Sequence, residues 1–121
     1  MTSREIAWLA GLLEGEGCFS LTKGSVTVQV TMTDRDIVER SAWLVGAPSV
    51  GTHATSHTKR GHQVCYRWTL CGSSAAAWMM TIYPFMGERR RATIRARLAR
   101  WKQTGFYRRE ITCGHPDAEH N

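Results

Sequence analysis

Apolar residues recur at helical spacing in four stretches of the chain and alternate with polar ones in four others. Thr2-Ser3-Arg4-Glu5 has the spacing of a capping box, and the apolar run at 6–13 then predicts a helix through about Glu14, stopped by Gly15 and Gly17. Residues 18–23 and 25–33 alternate in character on either side of Gly24, which predicts a hairpin. In its second strand Val26, Val28, Val30 and Met32 share one face, and Thr27, Gln29, Thr31 and Thr33 share the other. Thr33-Asp34-Arg35-Asp36 opens a second helix with a buried stripe of Ile37, Val38, Ser41, Ala42, Leu44 and Val45, ended by Gly46 and Pro48. Residues 50–58 and 63–71 predict a second hairpin around Lys59-Arg60-Gly61, with Val64, Tyr66, Trp68 and Leu70 facing one way and Gln63, Cys65, Arg67 and Thr69 the other. Ser73 or Ser74 caps a third helix running to about Tyr83, where Pro84 interrupts. A fourth helix over 88–102 has Ile94, Leu98 and Trp101 as its apolar stripe.

The predicted order is α-β-β-α-β-β-α-α, an α+β domain over residues 1–104 with a loosely ordered tail over 105–121. A hydrophobic fraction of 42% and five Trp residues in 121 positions supply a core, so the Trp side chains are expected inside it. The net charge of +6 points to an anionic partner, and by itself leaves nucleic acid, an acidic protein and a membrane surface open. Cys18, Cys65, Cys71 and Cys113 form no Cys-x-x-Cys pair, and neither a secretory pattern nor a membrane-length apolar run is present. A cytoplasmic protein with free thiols is the expectation.

Leu9-Ala10-Gly11-Leu12-Leu13-Glu14-Gly15-Glu16-Gly17 is the stretch with chemical potential. Gly11 and Gly15 lie four apart on one helical face, where a second helix backbone can approach closely. If that helix met its own copy about a two-fold axis, two Glu16 carboxylates would come together and need a cation to offset their repulsion. A hard ion such as Mg²⁺ takes oxygen ligands of this kind and shares them with phosphates. By spacing alone the simpler reading is an ordinary helix-to-strand turn with a solvated acid.

Residues 9–17, with Trp8 before them and Cys18-Phe19-Ser20-Leu21 after, resemble the signature of the LAGLIDADG homing endonucleases. The order of elements matches that family's domain over most of the chain. The resemblance implies an αββαββαα domain with a saddle-shaped antiparallel sheet, and a homodimer joined through Trp8, Leu9, Gly11, Leu12 and Gly15. It implies a metal held by Glu16 and Gly15, Mg²⁺ with Mn²⁺ able to substitute, and hydrolysis of double-stranded DNA at a long pseudo-palindromic site. A mobile element or a virus is a natural home for such a gene, the latter placing the protein in the host cytoplasm. The last acid of the motif is usually Asp and here is Glu16; Glu14, the first acid, lies on a different face and has a secondary role. Arg89, following Pro84-Phe85, matches a catalytic basic position that is often Lys in the family, with Arg90 and Arg91 beside it. Arginine does not readily carry protons, so its expected task is electrostatic. Met32 and Asp36 stand where relatives often have polar or basic residues. They support the alternative of a cleavage-deficient nucleic-acid-binding protein, such as an intron-splicing maturase.

Antiparallel strands can present alternate side chains to base edges in the major groove. Ser20, Thr22, Lys23, Thr27, Gln29, Thr31, Lys59, Arg60, Gln63, Arg67, Thr69 and Arg90 are the candidate DNA contacts. Gln29 suits adenine and Arg67 suits guanine. Without the family resemblance the same polar positions read as the wet face of a half-buried sheet. His53 and His57 share strand parity, and Cys113, His115 and His120 resemble part of a zinc set; a DNA-facing surface and an unstructured end are preferred for them.

Overall fold

The computed structural model describes residues 1–54 and 64–103. Helix α1 spans Ser3–Glu16, strands β1 and β2 span Gly17–Thr22 and Ser25–Met32, and helix α2 spans Arg35–Val45. Strand β3 is Gly51–Ala54 and β4 is Val64–Cys71; α3 covers Ser73–Ile82, a 3₁₀ turn covers Tyr83–Phe85, and α4 covers Glu88–Gln103. The four strands form one sheet in the order β1-β2-β4-β3. β3 and β4 are antiparallel, with Gly51 opposite Arg67 and His53 opposite Cys65. The fold is the α+β arrangement expected from the alternating periods. The predicted tip at Lys59-Arg60-Gly61, Gln63, His57, His62 and the segment 105–121 with Cys113, His115 and His120 lie outside the described residues.

Local chemistry explains most boundaries. The capping box forms as expected: Thr2 Oγ1 accepts from the Glu5 N–H at 3.1 Å and Glu5 Oε1 accepts from the Thr2 N–H at 2.8 Å. The expected stop at Gly15 does not occur; the helix runs on to Glu16, and extended Gly17 caps it by donating to the Leu13 carbonyl. A glycine weakens a helix without ending it unless the backbone turns there. Between β1 and β2, Lys23 and Gly24 have φ of 52° and 80°, the two positive angles of a tight I′ hairpin turn. Left-handed Gly46 ends α2, its N–H donating to Ala42 and Trp43. Neither Ser73 nor Ser74 caps α3. That position belongs to Gly72, whose φ of 71° suits a residue without a Cβ and whose N–H donates to the Val26 carbonyl at 3.0 Å.

The chain divides into two compact units, one of Met1–Gly17 and Gln29–Thr69 and the other of Cys18–Val28 and Leu70–Asn121. In the first, Leu9, Leu13, Val30, Val38, Ala42 and Trp68 are buried. The buried Ser41 is hydrogen-bonded on both sides: its Oγ donates to the Val38 carbonyl at 2.9 Å and accepts from Trp68 Nε1 at 2.7 Å. In the second, Phe19, Val26, Val28, Leu70, Met79, Ile82, Ile94 and Trp101 form the core.

Several expectations need correction. Trp43 is 79% exposed on α2, so Trp content is not core content here. Met32 and Leu98 are half-buried, and Val64 is exposed at the start of β4, because the apolar faces extend past what each unit covers. Cys18 and Cys65 are free thiols as expected, but Cys71 is disulfide-bonded.

Candidate nucleic-acid and metal site

The end of α1 is shaped by Gly17. A Cβ at this position would stand 2.7 Å from the Leu13 carbonyl oxygen and 3.0 Å from Leu13 Cα, both backbone atoms, so only glycine lets β1 leave the helix at this angle. Glu16, the last helical residue, is thereby set at the carbonyl end of α1 with its side chain exposed. The last carbonyls of a helix lack intrahelical partners and carry partial negative charge. The Leu13 carbonyl is used by Gly17, while no basic residue occupies the last turn to balance that end. A carboxylate beside the backbone carbonyls of a helix end is a set of hard oxygen donors, the chemistry that Mg²⁺ and Mn²⁺ prefer. Among the described residues no three His, Cys, Asp or Glu side chains gather as a complete metal cluster. Glu14 is half-buried and has a partner of its own.

The face of α1 leading to Glu16 is open. Gly11 and Gly15 are exposed, and a Cβ added to either would meet nothing within 4 Å. Beside them runs an apolar groove lined by Ala7, Trp8, Gly11, Leu12, Met32 and Ile37, all in the first unit. The Trp8 ring lies 4.1 Å under the Arg40 guanidinium, which holds the indole flat against α2. Leu9, expected with this face, is instead fully buried, because it points into the core of its own unit.

The expected base-contact residues fall into cross-strand pairs. In the first unit Arg67 Nε donates to Thr31 Oγ1 at 2.9 Å, and Thr69 Oγ1 donates to Gln29 Oε1 at 3.3 Å. In the second unit the hydroxyls of Ser20 and Thr27 are hydrogen-bonded to each other, and Thr22 and Lys23 are exposed at the hairpin turn. Lys59, Arg60 and Gln63 lie outside the described residues, as does the side chain of His53. The pairing of Arg67 with Thr31 was not visible in the sequence, since it depends on the β2–β4 register.

Helix α4 carries Arg89, Arg90, Arg91, Arg95, Arg97, Arg100 and Lys102. Arg89 is exposed in its first turn. Arg90 lies over the Phe19 ring at 5.4 Å, and Arg97 Nε donates to the Phe19 carbonyl at 3.2 Å. Arg91 stands 6.0 Å from the Tyr83 ring centre, while Arg95 Nη1 donates to the Tyr83 hydroxyl at 2.5 Å. Several of these cations therefore have anchoring contacts within the second unit.

A family model described as a LAGLIDADG-like domain matches residues 3–81. The chain belongs to the LAGLIDADG family. This LAGLIDADG chain is similar in structure to the archaeal intron-encoded homing endonuclease I-Vdi141I complexed with DNA, at 15% identity and a TM-score of 0.57 over 75% of this chain. It spans 63% of the length of that protein. The homing endonuclease I-CvuI, in complex with its target in the presence of Ca, gives a TM-score of 0.63 at 17% identity, covering 87% of this chain and 70% of that one. I-CvuI with the I-CreI target in the presence of Mg, in which the DNA is not cleaved, gives 0.58 at 16% identity over 84% of this chain and 68% of that one. No curated protein matches the chain. At these identities the likeness is one of fold, and it agrees with the LAGLIDADG αββαββαα order. Among the described residues no helix is long and apolar enough to cross a membrane.

Proposed function

We propose that this LAGLIDADG protein is a homing-type endonuclease that works as a homodimer and cuts both strands of a long, pseudo-palindromic DNA site. The observation that carries the proposal is the open, glycine-notched face of α1 ending in the exposed Glu16 carboxylate. Glycine costs a helix about 1 kcal/mol relative to alanine, and nothing in the protomer's own packing calls for glycine at 11 or 15. A second α1 related by two-fold symmetry fits that face, with Trp8 and Leu12 as flanking apolar contacts. The partner subunit's Glu16 is then brought near the axis, and the two carboxylates with the Gly15 carbonyls supply the oxygen donors that one chain lacks. A bound Mg²⁺ or Mn²⁺ supplies an activated water and neutralises charge on the phosphate. Arg89 adds a fixed positive charge for the phosphate oxygens, and the polar residues of β1, β2 and β4 meet the bases. The protein acts in the cytoplasm, or in the host cytoplasm if its gene is viral.

Incubation with a randomised duplex library and Mg²⁺ tests this proposal. Site-specific double-strand breaks that disappear with Glu16→Gln support it. The second reading, a binding protein that has lost cleavage, is favoured by Met32, which lines the apolar groove where relatives often place a polar residue. Sequence-selective binding with no breaks in either Mg²⁺ or Mn²⁺ would establish that reading instead.

A further inference from the structure

Arg67 is the only residue of formal charge in the four strands. It is half-buried, and among the described residues no carboxylate pairs with it. Its Nε is already spent on Thr31 Oγ1 at 2.9 Å. That bond fixes the plane of the guanidinium, and among the described residues neither η nitrogen of this rigid fork of donors has an acceptor. A fork of this shape matches the O6 and N7 acceptors of guanine, the pairing by which arginine most often reads a base. Two residues along both strands, Gln29 is held in the same manner by Thr69 at 3.3 Å, and its amide offers a donor and an acceptor together. A strand advances about 3.4 Å per residue, so the two braced side chains stand about 6.8 Å apart along it. Duplex DNA advances about 3.4 Å per base pair, so that spacing corresponds to about two base pairs.

We propose that Thr31 is a positioning residue that presents Arg67 to one guanine in each half-site, and that Gln29, braced by Thr69, reads a second base two pairs away. The inference rests on the DNA-binding reading above and adds which residues set the sequence and at what spacing. Thr31 sets the guanine preference through Arg67, by removing the rotational freedom of its head group.

Selection of binding sites from a randomised duplex library, without cleavage, tests it on the full chain. The wild-type protein is expected to prefer guanine at one position per half-site by about 5- to 150-fold. Arg67→Met abolishes that preference, because the chain length is kept and no donor remains for O6 and N7. Thr31→Val lowers it by about fivefold, the worth of one hydrogen bond, at an unchanged melting temperature. Thr31→Ser restores it, since the hydroxyl returns. Gln29→Ala leaves the guanine preference alone and relaxes a position two base pairs away. Three results would overturn the inference while leaving DNA binding intact. In the first, guanine selection persists in Arg67→Met. In the second, Thr31→Val selects as the wild type does. In the third, Arg67→Ala weakens all sequences equally with a shallower salt dependence, the mark of a phosphate contact. If the wild-type protein selects no sequence at all, the DNA-reading function fails first and this inference with it.

Discussion

Two regions of α1 use glycine for opposite reasons. At Gly17 the protomer's own backbone fills the space a side chain would need, with the Leu13 carbonyl 2.7 Å from an added Cβ. At Gly11 and Gly15, six and two residues earlier, an added Cβ meets nothing within 4 Å. The first glycine is explained from within the chain. The other two carry the conformational cost of glycine in a helix and return nothing to the isolated protomer. Residues whose cost is not offset locally point outward, which is what the proposed second copy of the same helix would explain, and the acid at Glu16 stands where the two kinds of glycine meet.

The largest expected effect comes from Glu16→Gln, which keeps shape and removes charge. Cleavage in Mg²⁺ should fall at least about a thousandfold, since in the proposed mechanism several kcal/mol of charge stabilisation would pass through a metal held by Glu16. A glutamine variant that cuts at the wild-type rate would separate the open face from any metal role. Next is Gly11→Leu, which fills the open face. Sedimentation should show monomer at concentrations where the wild type is dimeric, with the dissociation constant raised more than about tenfold, as expected for over-packed contacts. Its melting temperature in the monomeric state should not drop, because nothing in the protomer is displaced. Gly17→Ala should behave in the reverse sense, destabilising the fold by about 1–3 kcal/mol in denaturant titrations. Equal stability there would mean that the turn relaxes and that the two regions do not differ. Thr2→Ala removes the capping hydroxyl at the far end of the helix and should cost about 1 kcal/mol. The smallest effect sharpens the comparison most: Gly11→Ala should stabilise the dilute, unassociated chain by about 0.5–1 kcal/mol while weakening self-association. A destabilised Gly11→Ala monomer would show that the protomer does need that glycine.

Much of the fold was legible because burial follows strand and helix period directly. Val26, Val28 and Val30 are inside as their alternation requires, and Thr2 with Glu5 caps α1 as its spacing requires. What escaped depends on contacts between distant positions. Ser73 and Ser74 are good caps by type, yet Gly72 takes the place because β4 must turn sharply into α3 while its N–H reaches Val26. Trp43 has the composition of a core residue and the helical angle of a surface one. At the site, the motif located Glu16 but placed it just past the helix, whereas it is the final helical residue, with its carboxylate at the carbonyl end. The Thr31–Arg67 bond was beyond reach, because strand register across a separation of 36 positions is not written in either strand alone.

The two compact units have a bearing on how the polypeptide is made. Each is assembled from two separated stretches, and the early piece Cys18–Val28 belongs with material that begins at Leu70. During synthesis this short β-rich segment leaves the ribosome long before its packing partners exist. The first unit can close once Thr69 has emerged, while residues 18–28 wait, exposed, for the remainder. Neither unit can be obtained by simple truncation, and a nascent chain halted before α4 would display Phe19 and Val26 without their cover, an invitation to chaperones or to aggregation.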